Sequence, residues 1–545
     1  MLSRFNAFVI AFGLTLSAPM AVVSGAQAQG IGQTVGAATA IAPRLEFSAP
    51  EMDLARAVAA WPGVAAFYGE NGLRPVFGGI EGQARRDAVI AAVESAHLHG
   101  LPAARYDLPG LRRVDPDSIA GEALFARVAA QYLRDVISGA IDPARADAQI
   151  HRTINRPNVA ALLDELVKSP DPKGFMLSQG PKDPRYLALQ DALASRAGLM
   201  APPGAPLAPQ GLWRIGMRDP AIPDLRARLA SIGFNAAQPL DPSEYEAALS
   251  DAVLQFQEAA GLPADGVAGP MTINRLNGGP DGQTRAILVA MERMRWMNGH
   301  DLNARHVWVN IPEFTARIYD GGQQVFQTRV VVGKTDSDMR TPEFSDQMEY
   351  VVVNPRWNVP RSITVKEYLP RLQKNRYAVS HLDIVDGRGN VVSRDSIDFG
   401  RYTASSFPYR MRQKPSEDNA LGLVKFIFPN PWNIYLHDTP SKHLFGESSR
   451  AYSHGCIRIG DPFDLAYALL SQQTDNPQRM FQRALDSGNE QWLALKPNLP
   501  VHLVYFTAMA EPSGEIRFYR DIYGRDARVW DALEKAGLEL AGQSD

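Results

Sequence analysis

The chain has 545 residues, of which 45% are hydrophobic, and its 56 basic and 59 acidic residues leave a formal net charge of −3. This length predicts about three domains of roughly 150 residues each, and the apolar content is ordinary for globular domains with buried cores. The charge is nearly balanced and the sequence holds no basic stripe or nucleic-acid motif, so nucleic acid is not expected as a partner.

The first thirty residues indicate export. Arg4 is followed by an apolar run from Ala7 to Leu16, and small residues then lead to an A-x-A cleavage pattern at Ala26–Ala28. The apolar run is too short to act as a stop-transfer helix, and Pro19 soon follows it; an uncleaved anchor is the alternative. We predict a signal peptide over residues 1–28, a periplasmic location and no membrane span after cleavage.

The next region has a helical pattern. The stretches "DAVIAAVESAHLHG" and "LFARVAAQYLRDVISGAIDPARA" place apolar residues three and four positions apart, as amphipathic helices do. This region offers no paired nucleophile and base. It predicts a helical scaffold domain over residues 45–199, followed by a linker rich in proline and alanine over residues 200–217.

Residues 218–278 predict a small unit of three helices. The segment "IPDLRARLASIGF" and the longer "YEAALSDAVLQFQEAAGLPADGVAGPMTINRLN" put apolar residues on helical faces, and Asp265-Gly266 marks a turn between the last two helices. The part "AVLQFQEAAGLPADGVAGPMTINRLN" resembles the small peptidoglycan-binding module of cell-wall enzymes. The resemblance rests on core and turn positions, so a spacer or docking role is the alternative to binding.

After a predicted helix at "TRAILVAMERMRWM" the pattern changes to that of strands. Apolar and polar residues alternate in "RHVWVNIPEFTARIYDGGQQVFQTRVVVGK", and further strands are predicted as far as "EIRFYRD". A polar, irregular stretch at about residues 367–421 predicts an inserted subdomain. We therefore predict a mainly-β domain over residues 283–528, a C-terminal tail over residues 529–545, and a multi-domain α+β fold for the whole chain.

The stretch "AYSHGCIRI" contains Cys456, the single cysteine of the chain. One cysteine forms no internal disulfide, and an exposed thiol in an oxidising compartment is open to oxidation. Its presence there favours a chemical role, with an inert, buried cysteine as the alternative.

A histidine is the usual means of converting a thiol to a thiolate. His437 ends another predicted strand, "WNIYLHD", from which its ring can approach the sulfur directly. His454 lies two residues before Cys456, on the same side of the chain if the segment is extended, and its ring would lie beside the sulfur. This geometry favours His437 as the base; His443, in a predicted loop, is a weaker candidate.

Two neighbours of Cys456 have candidate roles. A glycine at position 455 permits close approach of a substrate to backbone N–H groups that stabilise an oxyanion, although a simple turn glycine is nearly as plausible. In an extended chain, Arg458 lies on the side of Cys456 and can bind a substrate carboxylate; an ion pair with Asp461 is the alternative.

The same cluster contains possible metal ligands, but the sequence has no H-E-x-x-H or C-x-x-C spacing. We therefore predict no metal and no cofactor.

These residues also carry a resemblance. The segment "YLHDTPSKHLFGESSRAYSHGCIRI" is similar to the signature of the L,D-transpeptidases, exported cysteine enzymes that remodel peptidoglycan. The flanking segments "VVVGKTDSDMRTPEFSDQMEYVVVNPRWNVPRSI" and "ALGLVKFIFPNPWNIYLHDTP" resemble the large, multi-domain branch of that family, including its helical scaffold domain. For the polar stretch at about residues 367–421, the resemblance implies a subdomain that caps the site.

The resemblance also implies roles for individual residues. Cys456 matches the nucleophile and His437 the base, while His454 and Gly455 match motif residues that shape the pocket and the oxyanion site. The matching substrate-binding positions are Arg458 and Tyr435.

The implied reaction is a 3→3 cross-link between the tetrapeptide stems of peptidoglycan, formed through a thioester on Cys456. Acylation by carbapenems and association with other wall-synthesis proteins are further implications. Two alternatives remain: an L,D-carboxypeptidase or cysteine peptidase, in which water accepts the acyl group, and a non-catalytic peptidoglycan-binding scaffold. Loss of Cys456 or His437 would indicate the scaffold, and both residues are present.

Overall fold

The structure is a computed structural model that describes residues 46–197, 206–237, 239–260, 262–277, 282–511 and 513–537. The predicted signal peptide lies outside the described residues. Within the described ranges, no helix combines the length and the apolar character that a membrane crossing requires.

The N-terminal region is helical, as predicted. Its long helix from Ile119 to Ser138 is buried along one side, and Ser118 caps its first turn by accepting a hydrogen bond from the N–H of Gly121 at 3.0 Å. The elements of this region are α1 (Ala49–Val58), α2 (Pro62–Glu70), α3 (Gly79–Glu94), α4 (Leu108–Arg113), α5 (Ile119–Ser138), α6 (Pro143–Ala146), β1 (Ile150–His151), α7 (Val159–Lys168), α8 (Pro172–Leu177) and α9 (Pro184–Ala197).

The next unit contains the predicted helices α10 (Ile222–Ser231), α11 (Ala247–Ala260) and α12 (Pro270–Leu276), packed around their own apolar cluster. Its motif residues are structural. The buried amide of Gln257 donates to Asp265 Oδ1, Val267 O and Thr272 Oγ1, and it accepts from the N–H groups of Asp265 and Gly266. The glutamine therefore fixes the turn that precedes α12.

A buried helix and four strands begin the third region. The elements are α13 (Gly282–Trp296), β2 (His306–Asn310), β3 (Thr315–Asp320), β4 (Gln323–Gly333) and β5 (Glu343–Val353). α13 contacts α5 and α9, so it joins the helical region to the strands.

An inserted subdomain follows. It has its own three-stranded sheet, in the order β6-β8-β7, and its own apolar cluster, which extends from Trp357 to Leu421. This subdomain therefore begins about ten residues before the predicted start at 367. Its elements are β6 (Trp357–Asn358), α14 (Arg361–Ile363), a π-helical turn (Thr364–Tyr368), α15 (Leu369–Lys374), β7 (Leu382–Val385) and β8 (Arg410–Gln413).

The chain then returns to the main sheet. The remaining elements are β9 (Val424–Ile427), β10 (Leu436–His437), β11 (Ala451–Ser453), β12 (Ile457–Ile459), α16 (Pro462–Leu470), α17 (Pro477–Asp486), β13 (Gln491–Val504), β14 (Ala508–Ala510), β15 (Ile516–Phe518) and α18 (Arg525–Lys535). The main sheet runs β1-β5-β13-β2-β3-β4-β12-β10-β9, β11 pairs with β4, and β5 also pairs with β9. The last pairing closes the sheet on itself around the largest apolar cluster. The predicted fold class is confirmed.

Two features differ from expectation. Strand β1 belongs to the helical region by sequence, yet it pairs in parallel with β5 of the main sheet. Helix α18 continues into the tail predicted from residue 529, as far as Lys535, and buries Val529, Trp530 and Leu533 against α13 residues. An amphipathic helix at the end of a chain is stable where its apolar face packs.

We predict that Trp530→Ala lowers the free energy of unfolding by about 3–5 kcal/mol, because it leaves a cavity at this buried position. Urea denaturation followed by circular dichroism measures the change. The matched control is Asp531→Ala, since Asp531 is exposed on the same helix and its loss is expected to leave the transition unchanged. Equal midpoints for the two variants would contradict the packing of α18.

Candidate active site

Strand pairing places three cationic or titratable side chains in one row. β10 lies between β12 and β9, with His437 opposite Arg458 on one side and opposite Lys425 on the other. Residues directly opposite each other in a sheet point to the same face. All three line one cleft of about 860 Å³, which Cys456 also lines. The structure therefore brings the predicted nucleophile and base to the same cleft from adjacent segments.

Cys456, the predicted nucleophile, lies in a bend. β11 ends at Ser453 and β12 begins at Ile457, so residues 454–456 are not extended. Gly455 has φ +111°, a conformation that side chains disfavour, and a Cβ there would lie 3.2 Å from Ile434 Cδ1. The sequence argument that His454, Cys456 and Arg458 share one side of a strand consequently does not apply.

Hydroxyl groups fix this bend. Ser453 Oγ accepts from the N–H of Gly455 at 3.1 Å and donates to the carbonyl of Cys456 at 2.5 Å. Thr341 Oγ1 donates to the carbonyl of Gly455 at 2.8 Å and accepts from the N–H of Gly333 at 2.9 Å. Each backbone group that these hydroxyls hold is fixed in one orientation, which positions Cys456.

The thiol is only partly exposed and is surrounded by the protein. Cys456 Sγ lies 3.5 Å from the carbonyl of Asn433. Burial raises the pKa of the Cys456 thiol to about 11, although hydrogen bonds from Tyr435 and the charge of Arg458 act in the opposite direction. The resting group is therefore the thiol, and it needs a base.

His437 is suited to be that base. Its Nδ1 lies 2.5 Å from the carbonyl of Asp438, which as an acceptor requires a proton on Nδ1 and leaves Nε2 unprotonated in the neutral ring. Burial and then the charge of Arg458 lower the pKa of His437 to about 4, and Lys425 acts in the same direction. The imidazole is consequently neutral at ordinary pH.

The residue after His437 is held from several directions. Asp438 accepts from the N–H groups of Leu423 at 2.9 Å and Thr439 at 2.7 Å, and its carboxylate forms an ion pair with Lys442. These contacts fix the carbonyl that orients the imidazole. Asp438 thus acts on His437 through its backbone.

Arg458 points into the cleft without a carboxylate partner among the described residues. Burial lowers the pKa of its guanidinium, and the buried Nε has no hydrogen-bond partner in that same part of the chain. The alternative partner, Asp461, accepts a hydrogen bond from Thr328 Oγ1 at 2.8 Å instead. The positive charge of Arg458 is therefore available to bind a ligand.

The other two predicted residues lie at the same cleft. Burial, and then the neighbouring Cys456, hold the pKa of Tyr435 well above its usual range, so its hydroxyl keeps its proton. His454 contacts the inserted subdomain of residues 357–421, which is called the capping subdomain from here on. Its Nε2 lies 2.6 Å from Oε1 of Glu367. The structure brings together all six residues named from the sequence; their individual roles stay predictions.

Two site residues were missed by sequence reasoning. Lys425 had a usable signal, because it is a lysine inside the apolar strand "LVKFIFP". It is buried, 3.6 Å from Glu490 and over the ring of Trp492. Glu367 had no local signal, since its contact with His454 joins residues that are 87 positions apart.

Three segments of the chain match known family models. Residues 304–482 match the family model described as the L,D-transpeptidase catalytic domain, residues 62–193 match the scaffold domain, and residues 218–276 match a peptidoglycan-binding domain. A protein of Haemophilus influenzae named "Putative L,D-transpeptidase" is 36% identical over 237 residues. That match covers 42% of this chain and 47% of the relative, so the chain spans less than half the length of that relative.

Two solved structures were also matched. The L,D-transpeptidase (residues 123–326) from Xylanimonas cellulosilytica is 17% identical, with coverage of 56% of this chain and 100% of that chain at a TM-score of 0.15. A fused Zn-dependent amidase/peptidase/peptidoglycan-binding domain-containing protein from Clostridium acetobutylicum is 12% identical, with coverage of 54% and 100% at a TM-score of 0.15. At a TM-score of 0.15, neither structure is used to infer the fold or function of this chain.

We predict that Gly455→Ala lowers the rate of D-alanine release from a tetrapeptide donor about 100-fold, because the new Cβ displaces the bend that carries Cys456. Mass spectrometry of released D-alanine measures the rate. The matched control is Gly446→Ala, where an added Cβ meets no atom within 4 Å. Equal losses in both variants would contradict a special role for the bend.

We predict that Lys425→Gln moves the acidic limb of the pH–rate profile for D-alanine release to higher pH by up to about 1 unit. The limb follows protonation of His437, whose pKa of about 4 is held down in part by the positive charge of Lys425. Removal of that charge makes the imidazolium easier to form, so base function is lost at a higher pH. Rates of D-alanine release across the acidic range measure the shift.

The control for this prediction is Lys414→Gln, which removes an exposed lysine of the capping subdomain. It is expected to leave the limb in place. A limb that moves equally in both variants, or to lower pH with Lys425→Gln, would contradict the electrostatic argument.

Proposed function

We propose that the protein is a peptidoglycan transpeptidase that joins stem peptides by 3→3 cross-links, because residues 304–482 match the family model of the L,D-transpeptidase catalytic domain. Peptidoglycan is its proposed substrate because a peptidoglycan-binding domain accompanies the catalytic domain. Such a substrate requires a location outside the cytoplasm, and we propose the periplasm, reached by the signal peptide predicted over residues 1–28.

One observation carries the proposal: a buried, neutral imidazole and a partly exposed thiol line the same cleft. The thiol has a pKa of about 11 and the imidazole one of about 4, so the resting pair is thiol and neutral histidine. Proton transfer from Cys456 to His437 therefore accompanies the attack on a carbonyl. The carbonyl of Asp438 stabilises the imidazolium that forms.

The proposed first step forms a thioester. Sγ of Cys456 attacks the carbonyl carbon between the L-centre of diaminopimelate and the terminal D-alanine, and the thiol proton passes to His437. The C–N bond then breaks, His437 returns the proton to the leaving amine, and D-alanine departs. Diaminopimelate is the residue that the family resemblance implies.

The oxyanion of this step needs a nearby donor. The N–H of Gly455 already donates to Ser453 Oγ, so it is not available to stabilise the oxyanion. The N–H of Cys456 donates to no group among the described residues, and we assign it to the oxyanion. Gly455 contributes by its backbone conformation and by the space that its missing side chain leaves.

Positive charge in the cleft supports binding of the donor. Arg458 has no carboxylate partner among the described residues, and Lys425 lies two strands away in the same row. We propose that Arg458 binds a carboxylate of the donor stem. A guanidinium beside the thiol also favours the thiolate during attack.

In the proposed second step, the side-chain amine of another stem attacks the thioester. The new amide bond is the 3→3 cross-link, and Cys456 is released. If water attacked instead, the product would be a tripeptide and the protein an L,D-carboxypeptidase. Carbapenems, which acylate through the same thiol, are expected to form a stable adduct with Cys456.

We predict that the purified protein converts disaccharide-tetrapeptide into a dimer that has lost one D-alanine, and that Cys456→Ala abolishes this product completely. Mass spectrometry of the reaction products measures both. Tripeptide monomer alone would establish the carboxypeptidase. An unchanged tetrapeptide with the native protein would favour the non-catalytic scaffold and reject the proposed function.

A further inference from the structure

The mechanism above uses one imidazole and leaves a second one unexplained. His454 lies two residues before Cys456, lines the same cleft and is partly exposed. Its Nε2 lies 2.6 Å from Oε1 of Glu367, whose side chain is 42% exposed. This is a histidine–carboxylate pair at the mouth of a cysteine site.

The contact with Glu367 determines which ring nitrogen is available. An ionised carboxylate only accepts hydrogen bonds, so Nε2 of His454 must carry the proton that it shares with Glu367. In the neutral ring, Nδ1 is then unprotonated, and it has no hydrogen-bond partner among the described residues. Nδ1 can therefore accept a proton from a ligand, as the imidazole does in other carboxylate–histidine pairs.

The two imidazoles have opposite surroundings. His437 is buried and flanked by the cations Arg458 and Lys425, which disfavour a positive ligand beside it. His454 is partly exposed and next to the negative charge of Glu367. A substrate carboxylate is therefore attracted to the first end of the cleft, and a substrate ammonium to the second.

We propose that His454 and Glu367 form the site of the acceptor amine, in which Glu367 positions His454 and attracts the ammonium, and Nδ1 of His454 takes the proton of the attacking amine. This inference rests on the proposed function and names the residues of its second half. The acceptor is thus a primary amine carried by a second stem peptide.

The atoms of the step balance. The ammonium first gives one proton to solvent water at this partly exposed end of the cleft and becomes the amine. The amine nitrogen then forms a C–N bond to the thioester carbon, the C–S bond breaks, and the second amine proton passes to Nδ1 of His454. Sulfur leaves with the electron pair of the C–S bond, and a proton from His454 restores the thiol.

The capping subdomain supplies half of this site. Glu367 lies in the π-helical turn between α14 and α15, and π-helical turns often occur at functional positions. The adjacent Lys366 donates to Asp338 at 2.9 Å and ties the same turn to the body of the catalytic domain. The acceptor site is therefore complete only when the capping subdomain lies over the cleft.

The test separates the two half-reactions with Glu367→Gln, an isosteric change at a partly exposed position. Tetrapeptide serves as donor and acceptor, and hydroxylamine as a second acceptor. Hydroxylamine is largely unprotonated at neutral pH, so it needs no base to attack a thioester. We expect transfer to the peptide amine to fall about 10- to 100-fold, while the D-alanine released in the first turnover and the rate of hydroxamate formation in saturating hydroxylamine remain at native levels.

The matched control is Lys374→Gln, which removes an exposed charge at the end of α15 in the same subdomain and leaves the contacts of Lys366 and Glu367 in place. It is expected to keep the native ratio of cross-linked to hydroxamate product. Native transfer by Glu367→Gln, equal losses in the two variants, or an equal loss of hydroxamate would each overturn the inference.

The same experiment distinguishes failure of the proposed function. If the native protein releases D-alanine but yields only tripeptide, the amine site is rejected while the thioester chemistry stands. If the native protein releases no D-alanine, the proposed function fails, and the inference fails with it.

Discussion

The site depends on a neutral imidazole held in a row of cations. Three short strands, β12, β10 and β9, set Arg458, His437 and Lys425 side by side, and the sheet buries the middle residue. An imidazolium in that place would be both desolvated and repelled, so the ring stays neutral and able to accept a proton. In the proposed function, the same cations offer a positive surface to the carboxylates of a stem peptide.

Cys456, the proposed nucleophile, depends on support from distant parts of the chain. Arg525, at the start of α18, donates to the carbonyl of Thr341 at 2.8 Å and to Gln149 Oε1 of the helical region at 2.9 Å. Thr341 in turn holds the carbonyl of Gly455. The helical region and the last helix thus act on the bend at Cys456 through one chain of hydrogen bonds. The name scaffold suits the first region, which adds strand β1 to the catalytic sheet and contributes to this chain of contacts.

How much of the structure can be predicted from the sequence depends on how far apart in the chain the interacting residues lie. Helices and hairpins have local patterns, and the cysteine motif is a continuous segment, so the fold class and the residues around Cys456 could be predicted. Strand β1 was not, because two residues carry no periodicity and their pairing partner is nearly 200 positions away. Glu367 was not, because only the folded chain brings the capping subdomain to His454. The prediction of an extended segment at residues 454–458 was also wrong, since the positive φ of Gly455 redirects the side chains on either side of it.

In the proposed mechanism, the choice between amine and water as acceptor is an electrostatic question as much as a steric one. Water needs only a base, and either imidazole in the cleft supplies one. An ammonium must first be attracted and then deprotonated, which requires negative charge and a free nitrogen beside the thioester. His437 lacks the negative charge, because cations lie on both sides of it. His454 has both features only while Glu367 is in contact, so the position of the capping subdomain determines which acceptor the site favours.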